Sequence, residues 1–194
     1  MSKKNQITRT DYLTIEEYRK LVGSLHSDND VLGETYCRVA KATALRISDI
    51  LKLTWGKLLS KRFVLNEQKT GKKRDITVSE ATQDAFRKLY ELNGSPSMNE
   101  LIFINRRSDK AYTKQYINRL TKEWKEKYDI KVGNFSSHSF RKSFGREYWE
   151  KAGRTDSALL LLSEIYNHVD ISTTKRYLGI RDEELSEVYE MIEV

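Results

Sequence analysis

The chain holds one proline, Pro96, and one cysteine, Cys37, among 194 residues. A single thiol excludes an internal disulfide and a cysteine-built zinc site. The three histidines, His26, His138 and His168, lie too far apart in sequence to make a metal cluster without carboxylates. No window approaches the roughly 18 consecutive apolar residues of a membrane span. The opening "MSKKNQITRT" lacks the apolar stretch of a secretory signal. These absences lead to the expectation of a cytoplasmic protein. There is no G-x-x-x-x-G-K-S/T, no G-x-G-x-x-G, no H-E-x-x-H and no G-x-S-x-G. Nucleotide phosphate loops, helix-borne zinc proteases and serine-elbow hydrolases thus leave no signature, and neither cofactor nor metal is expected. Carboxylate pairs such as Glu16–Glu17 and Glu183–Glu184 are adjacent, so on a helix they point to different faces.

Positive charge is abundant: 35 Lys and Arg stand against 28 Asp and Glu, a net +7. Its distribution says more than its size. The last 14 residues hold six acids and one base, so residues 1–180 carry 34 bases against 22 acids, a balance of +12. A body this basic favours a polyanionic partner, most simply nucleic acid.

The apolar pattern is mostly helical. "TIEEYRKLVGSL" opens on Thr14 with Glu17 three residues later, a capping-box signature. Leu32, Thr35, Tyr36, Val39 and Ala40 share one helical face. "RFVLNEQKTGKKRDITV" reads as two strand-like runs around a basic turn, hence a hairpin. Helices follow over "SEATQDAFRKLYEL", "TKQYINRLTKEWKEKY", "SHSFRKSFGREYWEKAG" and "TDSALLLLSEIYNH", the last with a stripe of Ala158, Leu161, Leu162 and Ile165. A final helix over about 182–193 carries Leu185, Val188, Tyr189 and Ile192 on one side. The expected fold is mainly α with one small antiparallel β-sheet, an α+β arrangement with no doubly wound unit. Residues 1–10 read as a flexible basic arm and 11–194 as one domain.

The residues left to carry chemistry are cationic, with one tyrosine behind them. In chain order they are Arg46 in "ALRISDI", Lys69 in "QKTGKKR", His138 and Arg141 in "HSFRKSF", and His168 and Tyr177 in "NHVDISTTKRYL". Singly each has a plain reading. Arg46 suits a surface helix start, Lys69 is one lysine among several at a turn, and Tyr177 is one of 11 tyrosines. His138 and Arg141, three apart, share a helix face.

As an ordered set, these blocks resemble the catalytic domain of the tyrosine recombinases, the phage integrase family. The resemblance covers about residues 11–194. It implies that Arg46 and Arg141 clamp a DNA phosphate, that Lys69 is the general acid, that His138 and His168 exchange protons or hydrogen bonds, and that Tyr177 is the nucleophile. Two departures stand out: Ala44 and Asn167 occupy positions where the family usually has glycine. Asparagine tolerates a left-handed helix cap, so the backbone role of that position is expected to survive.

The chemistry fits these residue types. A phosphodiester under in-line attack gathers negative charge on its non-bridging oxygens. Arginine answers with a planar fork that stays charged. A lysine with a depressed pKa suits protonation of the leaving 5′-oxygen. The same cations are expected to favour the Tyr177 phenolate. Asp49, three residues after Arg46, is expected to hold that arginine in place. Lys72, Lys73, Arg74, Lys175 and Arg176 are expected to meet DNA phosphates rather than react.

The resemblance further implies double-stranded DNA as partner and self-association as a tetramer through the C-terminal helix. Members of the family usually carry a further helical domain before the catalytic one. Only about 10 residues precede the first helix here, so the chain reads as a catalytic fragment or a short member without that domain. A type IB topoisomerase-like nicking-closing enzyme and a non-catalytic DNA-binding accessory factor are the alternative readings.

Overall fold

The computed structural model describes residues 10–192. The basic arm expected at the N-terminus lies outside these residues, apart from Thr10. Ten helices and two small hairpins are described. They are α1 (Ile15–Ser27), α2 (Val31–Thr43), α3 (Ile47–Ile50), α4 (Trp55–Leu59), β1 (Arg62–Asn66), β2 (Lys73–Thr77) and α5 (Glu80–Leu92). β3 (Ile104–Asn105), β4 (Lys110–Ala111), α6 (Lys114–Lys127), α7 (Ser137–Lys151), α8 (Asp156–Tyr166), α9 (Ile171–Leu178) and α10 (Ile180–Glu190) complete the chain. None of the described helices is long and apolar enough to cross a membrane.

Local chemistry sets most boundaries. Thr14 accepts a hydrogen bond from the Glu17 amide and starts α1, and Ser79, Thr113, Thr155 and Asp170 cap α5, α6, α8 and α9 in the same way. β1 and β2 pair antiparallel with Phe63 opposite Ile76 and Leu65 opposite Arg74. The expected single sheet proves to be two. "LIFI" leads into β3, which pairs with β4 over four residues in all, too few for a period-two pattern to appear in the sequence.

α7 joins two apolar cores. The larger gathers Tyr36, Trp55, Phe86, Phe103 and Phe140; the smaller holds Ala44, Trp149, Leu159, Leu162, Tyr166 and Leu178. On α8 the buried face is Ala158, Leu159, Leu162, Ser163 and Tyr166, whereas Leu161 is exposed. Of the expected stripe, Ala158 and Leu162 are buried and Ile165 packs against the second core, and only Leu161 departs from it. Four consecutive leucines supply an apolar residue at every phase, so the pattern leaves the register open, and the inward Tyr166 fixes it.

Close approach at the second core depends on Gly145 of α7. A Cβ there would sit 2.3 Å from the Tyr166 hydroxyl and 2.8 Å from Leu178 Cδ2. The hydroxyl uses that space to donate to the Arg141 carbonyl at 2.7 Å. Gly145→Ala is therefore expected to lower stability by about 1–3 kcal/mol through overpacking. Chemical denaturation measures it; an unchanged midpoint would mean that α8 yields freely.

Candidate active site

α2 and α8 both end on left-handed residues, and carbonyls at these ends build the site's floor. α2 closes on Ala44 at φ 49° and α8 on Asn167 at φ 53°. The Asn167 expectation holds for the backbone. Ala44 adopts the strained conformation too, and the burial of its methyl in the second core offsets part of the cost. Arg141 donates to the Ala44 carbonyl and, at 3.2 Å, to the Tyr166 carbonyl. Arg46 donates to the same Tyr166 carbonyl at 3.2 Å. The negative ends of two helix dipoles thus gather two guanidinium groups around one oxygen. The Arg141 guanidinium also lies 4.3 Å from the centroid of the Tyr166 ring. Burial pushes the Arg141 pKa down, with Tyr177 and Tyr166 opposing.

The acid that holds Arg46 is Glu67, which the sequence reading overlooked. Its fully buried carboxylate accepts from Arg46 at 2.5 Å, Thr70 Oγ1 at 2.9 Å and Asn167 Nδ2 at 2.9 Å, all on one oxygen. Burial alone would raise the Glu67 pKa; hydrogen bonds from Thr70, Arg46 and Asn167 outweigh it and leave the group lowered. Asp49 does something else: its Oδ1 accepts from the Gln68 amide at 2.9 Å and fixes the hairpin end. The Asp49 carboxylate is taken up by the hairpin backbone, and Glu67, at the end of β1, is the acid that meets Arg46. Strand alternation holds the missed signal. Phe63, Leu65 and Glu67 fall on one side of β1 and its extension, and all three are buried.

The same alternation corrects Arg74. It was expected at the DNA surface, but with Ile76 and Val78 it points inward. It donates to the Thr43 carbonyl at 2.9 Å and the Ala44 carbonyl at 3.2 Å, and lies 3.5 Å from Glu67. Burial and the nearby Arg141 push its pKa down to about 10. Arg74 is a support for the α2 terminus. Lys175 also departs from expectation, because Glu184 at 2.8 Å and Asp156 at 3.4 Å engage its ammonium group. Lys72, Lys73 and Arg176 are exposed.

Lys69 sits on the turn between β1 and β2, where Gly71 takes φ 67°. With Arg46, Lys114, Asn118 and His138 it lines an open cleft of about 640 Å³. His138 lies in the first turn of α7. Burial first, then Arg141, Arg46, Lys142 and Lys69, push its pKa down. His168 follows the α8 cap, and its Nδ1 lies 2.9 Å from Thr174 Oγ1. Burial, then Arg141 and Arg46, push it down to about 4.

Tyr177 lies on α9. Its ring meets Tyr166 edge-to-face at 5.4 Å and His168 at 5.3 Å, with Lys142 Nζ 5.2 Å from its centroid. Its hydroxyl is buried, with the Arg141 guanidinium as the group that interacts with it. The expectation of a favoured phenolate is overturned: burial raises the Tyr177 pKa to about 12 and outweighs the opposing pull of Arg141 and Arg46.

The order of these blocks and the converging arginine pair beside a helix-borne tyrosine point to one family, and the comparisons agree. The chain belongs to the phage integrase family, whose model matches residues 11–184. It is similar to the probable integrase/recombinase YoeC of Bacillus subtilis, with 29% identity over 77% of this chain and 78% of that one. It also resembles the tyrosine recombinase XerD of Oceanobacillus iheyensis, with 26% identity over 93% of this chain and 61% of that one. Among solved structures, the XerA recombinase superposes with a TM-score of 0.70 at 19% identity, over 99% of this chain and 68% of that one. XerH bound to its difH substrate gives 0.69 at 18% identity, over 96% of this chain and 55% of that one. The chain therefore spans little more than half the length of XerD and XerH.

Proposed function

We propose that the chain is the catalytic part of a site-specific DNA recombinase that cuts and rejoins strands through a 3′-phosphotyrosyl link at Tyr177. The observation that carries this reading is the convergence of Arg46 and Arg141 on the Tyr166 carbonyl, with the Tyr177 ring packed against Tyr166. A phosphate entering there meets two planar cations already held in place, which is the arrangement a transition state of growing negative charge requires. Tyr177 Oη attacks phosphorus and releases its proton to solvent, the P–O5′ bond breaks, and Lys69 protonates the departing oxygen. Keeping the phosphate in an ester conserves the strand's bond energy for rejoining.

The role of Lys69 has a direct test. A 5′-bridging phosphorothiolate leaves as a thiolate and needs no acid. Lys69→Ala is expected to fail on ordinary DNA and to cleave the thio substrate at near the parent rate. Equal slowness on both substrates would remove Lys69 from that role.

Self-association belongs to the same reading. Leu185, Val188, Tyr189 and Ile192 are all exposed, as far as 80% for Tyr189. A helix edge of this kind suits a second copy of the chain on neighbouring DNA. Glu183 and Glu184, by contrast, tie the start of α10 to Arg146 and Lys175. Removing residues 185–194 is thus expected to keep the fold and strand cleavage while abolishing assembly on DNA and strand exchange. Sedimentation with a two-site DNA reads the assembly; an intact tetramer would contradict the role.

A further inference from the structure

His168 is joined to two hydroxyls that the reaction does not consume. Its Nδ1 lies 2.9 Å from Thr174 Oγ1, which lies 2.8 Å from Ser163 Oγ, and Ser163 Oγ donates to the Leu159 carbonyl at 2.8 Å. Thr174 and Ser163 are both buried. Counting hydrogens along this row decides its direction. A carbonyl oxygen only accepts, so the Leu159 contact takes the hydrogen of Ser163. The Asp170 carbonyl, 3.4 Å from the same hydroxyl, is again an acceptor and changes nothing. The Ser163–Thr174 contact must then take the hydrogen of Thr174. No hydrogen remains on Thr174 for His168, so the ring itself supplies one from Nδ1. The opposite direction would leave two acceptor oxygens 2.8 Å apart at Leu159 with no hydrogen between them.

We propose that Ser163 and Thr174 are positioning residues that hold neutral His168 as its Nδ1–H tautomer and leave Nε2 as its unprotonated nitrogen. The consequence is chemical. In this form Nε2 accepts a hydrogen bond and does not donate one, so His168 must take up a second proton before it can donate to a phosphate oxygen. The α8–α9 junction serves this arrangement: the left-handed Asn167 cap turns the chain, and α9 brings Thr174 back beneath the imidazole.

The proposal rests on His168 belonging to the proposed site, but its test needs no DNA. Nitrogen-15 NMR of the histidine-labelled full chain at neutral pH distinguishes a protonated from a bare ring nitrogen, and the three histidines are assigned by comparison with His168→Asn. The wild type is expected to show a protonated Nδ1 and a bare Nε2 at His168. Thr174→Val keeps the side-chain shape and removes the hydroxyl, so the proton should redistribute toward Nε2; Thr174→Ser should restore the wild-type pattern. A protonated Nε2 in the wild-type chain overturns the proposal without any variant having to fold. So does a Thr174→Val spectrum indistinguishable from wild type at His168. Failure of the chain to cut DNA would instead remove the functional reading and leave the tautomer assignment standing.

Discussion

Tyr177→Phe is expected to abolish every detergent-resistant protein–DNA adduct while leaving DNA affinity and thermal stability close to those of the parent chain. The structure separates these effects. The ring, not the hydroxyl, makes the edge-to-face contacts with Tyr166 and His168, and phenylalanine keeps them. The buried hydroxyl meets Arg141, and its removal leaves that guanidinium its two carbonyl acceptors, Ala44 and Tyr166. With its pKa raised to about 12, the phenol keeps its proton at neutral pH. In the proposed reaction the proton therefore leaves as the bond to phosphorus forms, or after a phosphate has brought further groups to the site. Gel electrophoresis under denaturing conditions reads the adduct. A persistent adduct in Tyr177→Phe would assign the nucleophile to another residue.

Arg141→Ala and Arg46→Ala are each expected to slow single-turnover cleavage by roughly 10²–10³ or more, the loss typical of one preorganised donor at a developing charge. Their effect on folding should be smaller, because the floor is shared. Without Arg141, the Ala44 carbonyl still accepts from Arg74 and the Tyr166 carbonyl from Arg46. Without Arg46, Glu67 keeps Thr70, Asn167 and the nearby Arg74. Arg46→Lys should recover little, since a point charge cannot reach Glu67, the Tyr166 carbonyl and a phosphate with one planar fork. Near-parent cleavage by either alanine variant, with the melting temperature unchanged, would take that arginine out of the proposed clamp.

The legible parts of the site were those written in local spacing. His138 and Arg141 stand three apart, and α7 begins just before them, so both fall near its first turn. Asn167 signalled a left-handed cap, and Lys69 a basic hairpin turn. The illegible parts depend on contacts between distant segments. Glu67 meets Asn167 100 residues further on, so spacing favoured the nearer Asp49, which holds Gln68 instead. Arg74 was read as surface charge because the turn around it is rich in lysine, although its place opposite Leu65 in the inward row marks it as buried. The protonation of Tyr177 was misjudged for a different reason. Charge is visible in a sequence, but desolvation is a property of packing, and here desolvation wins.

The most direct test of the covalent mechanism is to trap the wild-type chain on a nicked DNA duplex whose cleaved end diffuses away, digest the adduct, and locate the nucleotide by mass spectrometry. A 3′-phosphoryl nucleotide carried on Tyr177 is the predicted result. A nucleotide on any other residue, or no adduct under conditions where the chain binds that DNA, would contradict it.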